Sequence, residues 1–76
     1  MTKFELIKLI AKEPQKVVFI KKDGSARTMH AKFLDSGNGG KEPAHLLTVW
    51  DIIADGWRRI NVDTVKSVET STLFTE

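Results

Sequence analysis

Apolar residues at positions 4, 6, 7, 9, 10 and 11 recur near helical spacing at the start of the chain, with Glu5, Lys8 and Lys12 between them. Thr2-Lys3-Phe4-Glu5 fits a capping box, in which a hydroxyl and a carboxylate each satisfy a backbone N–H that the first helical turn leaves free. Pro14 cannot continue the pattern, so a helix is predicted over residues 2–13. At about 100° per residue the apolar positions sweep roughly 220° of the helix, wider than packing on one surface needs. Two explanations stay open: the helix is wedged deeply against its own domain, or part of it (Leu6, Leu9 or Ile10) forms a subunit contact. The second predicts a homo-oligomer.

From Lys16 the period changes. Val17-Val18-Phe19-Ile20 is β-branched and aromatic, and Lys22-Asp23-Gly24-Ser25 follows with the Asp-Gly pair of a tight hairpin turn. In the next strand, Ala26 to Leu34, Met29, Ala31 and Phe33 alternate with Thr28, His30 and Lys32, which places His30 with the polar set. Residues 35–43 read as a Gly-rich connector. A third strand runs from Leu46 to Ile53, a second Asp-Gly turn falls at Asp55-Gly56, and Trp57 to Val62 returns antiparallel. Asp63-Thr64-Val65 reads as one helical turn capped by Asp63, Lys66 to Thr70 as a short last strand, and residues 71–76 as a frayed tail. These elements predict a mainly β protein: one domain over 1–76, with a closed or nearly closed five-stranded barrel over 16–70 behind one N-terminal helix. Phe19, Met29, Phe33, Leu47, Val49, Ile60, Val62 and Val68 are its expected core.

Composition narrows the functional classes. The chain has 76 residues, 41% of them apolar and 29% charged, which suits an ordered small domain and leaves little room for an elaborate active site. The absence of cysteine excludes disulfides, thiolate zinc sites and thiol nucleophiles, and points to the cytoplasm. Glu5 and Lys8 interrupt the first apolar run, so no membrane span or secretory leader is expected there. The formal charge of +2 is unevenly spread: residues 14–34 carry +4 and residues 35–56 carry −3. The basic stretch holds Lys16, Lys21, Lys22, Arg27 and Lys32, a set that can form a binding face or be neutralised by the acidic middle.

Strand parity refines that choice. Arg58 shares the parity of Ile60 and Val62 and is expected inward, leaving Trp57, Arg59 and Asn61 outward in a row suited to stacking a base and contacting a phosphate. The competing reading packs Trp57 as a cap on the barrel and pairs the arginine with Asp51 or Asp55. Lys21 and Lys22 at a hairpin end can contact phosphate, or can simply protect an edge strand. Lys21, Lys22, Arg27, Trp57 and Arg59 are therefore the candidate ligand or partner surface. The loop Ser36 to Lys41 has glycines before a lysine, but Glu42 and Pro43 stand where a phosphate-binding loop needs a hydroxyl residue and a helix, so it reads as a connector. His30 and His45 lack metal-ligand spacing, and no serine sits in a nucleophile elbow. No metal, cofactor or enzymatic activity is expected.

The segments Lys21 to Met29, Leu47 to Asp51 and Asp55 to Asp63, above all the Asp55-Gly56-Trp57-Arg58 run with Ile60, Val62, Asp63 and Val65, resemble a family of small phage and bacterial proteins related to the WYL domain. The resemblance covers roughly residues 15–70, without a literal Trp-Tyr-Leu signature or a DNA-binding helical domain. It implies a Sm-like barrel of the SH3-like type and a groove that can accept nucleic acid or nucleotide. The leading expectation is thus a non-enzymatic binding module of phage type. Its rival is a protein-directed inhibitor or assembly factor, active in host takeover or counter-defence, that grips a host protein through the apolar helix and an edge strand.

Overall fold

The computed structural model describes residues 1–34 and 42–72. Helix α1 (Lys3–Lys12) starts at Thr2, where both halves of the capping box form: the Glu5 N–H donates to Thr2 Oγ1 at 3.1 Å and the Thr2 N–H to Glu5 Oε1 at 3.2 Å. Strands β1 (Gln15–Ile20), β2 (Ala26–Lys32), β3 (Leu46–Asp51), β4 (Gly56–Asn61) and β5 (Val65–Thr70) follow, with a 3₁₀ turn, η1, over Val62–Thr64. They make one antiparallel sheet in the order β4-β3-β2-β1-β5. A register shift at Val18/Phe19 in the β1–β5 ladder marks a bulge, which increases local twist and helps a short sheet wrap its core. The sheet is that of a mainly β protein with one N-terminal helix, as the alternation predicted. Among the described residues no helix is long and apolar enough to cross a membrane.

The core joins Val17, Phe19, Met29, Ala31, Leu47, Val49, Ile60 and Val62 from the strands and η1 to Leu6 and Ile10 from α1, with Phe33 and Val68 partly buried against it. Every expected core residue is there. Leu6 (0% exposed) and Ile10 (2%) correct the alternative of a subunit contact at those positions: they are interior side chains of their own domain, closed off by the sheet. Leu9 remains 39% exposed. Only Leu6 and Ile10 are buried, with Ile7 packed partly against the core, so α1 seats one stripe on the sheet while Phe4, Leu9 and Ala11 on the rest of the apolar arc stay exposed.

Turn chemistry differs from expectation in detail. Only Gly24 takes a positive φ (+88°) in the first hairpin, where Gly24 N–H donates to Lys21 O at 3.0 Å and Lys21 N–H to Ser25 O at 2.8 Å. That is a type I turn followed by a left-handed glycine, the three-residue hairpin solution. At the second hairpin Asp55 itself is left-handed (φ 55°) and Gly56 already belongs to β4, so β3 stops at Asp51 and not at Ile53. Asn61 caps η1 in place of Asp63, its Oδ1 accepting from the Asp63 N–H at 3.0 Å. Ser71, expected to fray, is buried: its N–H donates to Pro14 O at 2.9 Å and its hydroxyl lies 2.8 Å from His30 Nδ1. The Gly-rich connector over 35–41 lies outside the described residues, as do residues 73–76.

Candidate functional site

Three cross-strand pairs on the outer face of the β3–β4 hairpin organise the site. Leu46 faces Asn61, Thr48 faces Arg59 and Trp50 faces Trp57, while the alternate residues Leu47, Val49 and Ile60 fill the core. The Leu46–Asn61 end adjoins the end of β1 and the β1–β2 turn, and the gap between them is a cleft of about 470 Å³. Its apolar wall is Phe19, Ile20 and Leu46; its polar wall is Lys21, Lys22, His45, Arg59, Asn61 and Thr64. That volume lies in the range that holds small ligands, about 300–1,000 Å³. A shallower depression of about 280 Å³, bordered by Thr48, Trp57, Arg58 and Arg59, adjoins the other end of the row. Arg59 borders both.

Ion pairing sorts the basic residues that the sequence left equivalent. Lys16 Nζ pairs with Glu69 at 3.6 Å, and Arg27 with the buried Asp51 carboxylate at 3.3 Å, where Asp51 also accepts the Ala54 N–H. Arg27 is therefore committed to the end of β3 and does not line the cleft. Lys21 and Lys22 have no carboxylate within ion-pair distance among the described residues. The nearby acid, Asp23, is engaged by Ser25, whose hydroxyl and N–H donate to Oδ1 at 2.6 and 2.9 Å; those bonds hold its pKa below the ordinary 3.8. Of the five candidates, Lys21, Lys22 and Arg59 meet at the cleft, Trp57 stands in the adjoining depression, and Arg27 is held elsewhere.

Trp57 is 44% exposed and meets Trp50 edge to face, ring centroids 5.3 Å apart and planes at 90°. That geometry fixes one ring by the other and leaves part of Trp57 open. Arg58 corrects the inward expectation: although its register partner Val49 is in the core, Arg58 is exposed, and its Nη1 donates to Trp57 O at 3.0 Å. Inward parity on β4 becomes burial only from Ile60 onward.

Glu42 was missed by sequence reasoning. Its carboxylate, 3% exposed, accepts from the Thr48 N–H (3.0 and 3.3 Å), from the Thr48 hydroxyl and from Lys3 Nζ (3.2 Å), with Arg59 Nε 4.0 Å away. Burial alone would push its pKa up, but the bonds from Thr48 and Lys3 outweigh it and hold the carboxyl below 4.5. The group ties the start of α1 to β3 and sets one side of Arg59, whose side chain stays 57% exposed. A glutamate between a Gly-rich connector and a proline carries no spacing signal that would have revealed this.

No cluster of three or more His, Asp or Glu able to hold a metal occurs among the described residues. His30 is engaged with Ser71, and His45 is an exposed residue at the cleft.

Residues 3–66 match the family model described as WYL_2, Sm-like SH3 beta-barrel fold. The chain belongs to the WYL_2 family. The WYL_2 match runs from α1 to the first residues of β5, so both depressions and the Glu42 tether fall inside it. It bears out the family read from the Asp55 to Val65 segment and the barrel class read from the strands. No curated protein and no solved structure matches this WYL_2 chain.

Proposed function

We propose that this WYL_2 domain is a non-enzymatic binding module for phosphate-bearing ligands of the nucleic-acid or nucleotide class, working in the cytoplasm. The observation that carries the reading is the cleft, where two ammonium groups without carboxylate partners among the described residues and a half-open guanidinium stand beside an apolar wall. Cations supply attraction to phosphate, and Arg59 adds a planar fork suited to its oxygens. The apolar wall of Phe19, Ile20 and Leu46 suits a ring such as a base.

The test is fluorescence anisotropy with labelled oligonucleotides, and displacement by unlabelled nucleoside phosphates, over a series of salt concentrations. Binding weakens with salt, and Lys21→Ala with Lys22→Ala together lowers both affinity and the salt slope, by about 0.7 for each single-strand phosphate that is no longer neutralised. A complex that ignores these substitutions and persists at high salt overturns the reading. It would favour a protein partner instead, gripped through Phe4, which is 68% exposed on α1.

A further inference from the structure

Resting on that reading, we infer that the cleft and the Trp57 depression are two consecutive subsites for a single strand of nucleic acid, with Arg59 as the phosphate clamp between them. The ligand is then a strand of at least two nucleotides, not a lone nucleotide or a duplex.

Trp57, Arg59 and Asn61 alternate on the outer face of β4, about 6.6 Å apart at each step. That spacing offers, in a line, an aromatic ring, a cation and the mouth of the cleft. Arg59 borders both depressions, so a phosphate held there has one neighbouring base directed to the cleft and the other to Trp57. The clamp is positioned: Glu42, itself held by Thr48 and Lys3, stands 4.0 Å from Arg59 Nε, while most of the guanidinium-bearing side chain faces solvent. Trp57 is braced by Trp50 from the edge, which limits rotation without covering the whole ring. A braced, part-open indole is a low-entropy platform for a base.

Asn61 and Thr64 add polarity of defined sense at the cleft. Asn61 Oδ1 is occupied by the Asp63 N–H, which leaves its amide hydrogens to donate. Thr64 Oγ1 donates to Asn61 O at 2.9 Å, which leaves its lone pairs to accept. A donor and an acceptor side by side complement the edge of an unpaired base. In a duplex that edge is already paired, and its stacked bases cannot reach Trp57.

The experiment measures affinity for thymidine monophosphate, a tetrathymidylate, an abasic tetranucleotide of equal charge and a duplex, with the parent, Trp57→Leu and Trp57→Phe, each checked for folding by circular dichroism. Tetrathymidylate should bind the parent about 5- to 150-fold more tightly than the abasic strand, the range for a stacked base. Trp57→Leu should lose the Trp57 share of that advantage while keeping the share of the cleft base and the affinity for the monophosphate, and Trp57→Phe should retain most of it. Equal affinity for thymidylate and abasic strands, an unchanged advantage in Trp57→Leu, or a preference for duplex overturns the two-subsite arrangement while leaving anion binding at the cleft intact. Absence of binding by every probe overturns both.

Discussion

Removing the Glu42 carboxylate tests the central tether of the site. Glu42→Ala leaves the Thr48 N–H and hydroxyl without an acceptor at a position that is 9% exposed. Each such donor costs about 1–3 kcal/mol when left unmade. The hydroxyl can turn toward another acceptor and the Lys3 ammonium can swing to water, so a loss of about 2–4 kcal/mol is expected, against a typical domain stability of about 5–15 kcal/mol. For a domain of this size each 1 kcal/mol lowers the Tm by about 4–8 °C, so Glu42→Ala should melt at least about 8 °C below the parent. Glu42→Gln keeps an acceptor for Thr48 but loses the ionic component and should cost about 1–2 kcal/mol. The pH dependence identifies the charge. The folded carboxyl sits below its ordinary 4.5, so it binds fewer protons folded than unfolded, and its stabilisation is fully present above pH 4.5 and lost as pH falls through the folded value. Glu5 and Asp23, also lowered, act in the same direction but are common to parent and variant. Urea unfolding followed by tryptophan fluorescence, from pH 7 down to pH 3, should therefore show a gap between parent and Glu42→Gln that is constant above pH 4.5 and narrows below it. A gap under about 0.3 kcal/mol at pH 7, or one that does not change on acidification, refutes the charged tether.

Two further substitutions test the scaffold. Leu6→Ala should destabilise the domain by about 2–5 kcal/mol in the same unfolding assay, because it opens a void in the core; a near-neutral outcome would mean that α1 is not seated on the sheet. Gly24→Ala should cost about 1 kcal/mol through the left-handed backbone alone, since no atom lies within 4 Å of the added methyl group, and a loss of several kcal/mol would contradict the open turn.

Local order was legible in the sequence because it depends on neighbours. Thr2 and Glu5 lie three residues apart, so their reciprocal hydrogen bonds follow from helix geometry alone. The alternation of Met29 and Ala31, and of Leu47 and Val49, is likewise a property of the extended backbone, which turns successive side chains to opposite faces. The family was carried by the Asp55 to Val65 segment for a related reason: a turn, a strand and a 3₁₀ turn set their own residues. The turns were legible as turns, but not the identity of their left-handed residue, because Asp-Gly serves more than one hairpin geometry.

What only the tertiary structure decided was pairing across distance. An apolar arc of roughly 220° is the same on a helix that meets a partner and on one that sinks into its own sheet; the fold assigns Leu6 and Ile10 to the domain's own core and leaves Phe4 and Leu9 exposed. Charge summed along the chain treats Lys16, Lys21, Lys22 and Arg27 alike, whereas the fold gave Glu69 to Lys16 and Asp51 to Arg27 and, among the described residues, no carboxylate to the two turn lysines. Glu42 owes its role to Thr48, Lys3 and Arg59, residues from three separate elements. Coulombic and hydrogen-bond energies depend on separations of a few ångströms. In this chain it is the folding of β3 and β4 against α1 and the β1–β2 turn that sets those separations.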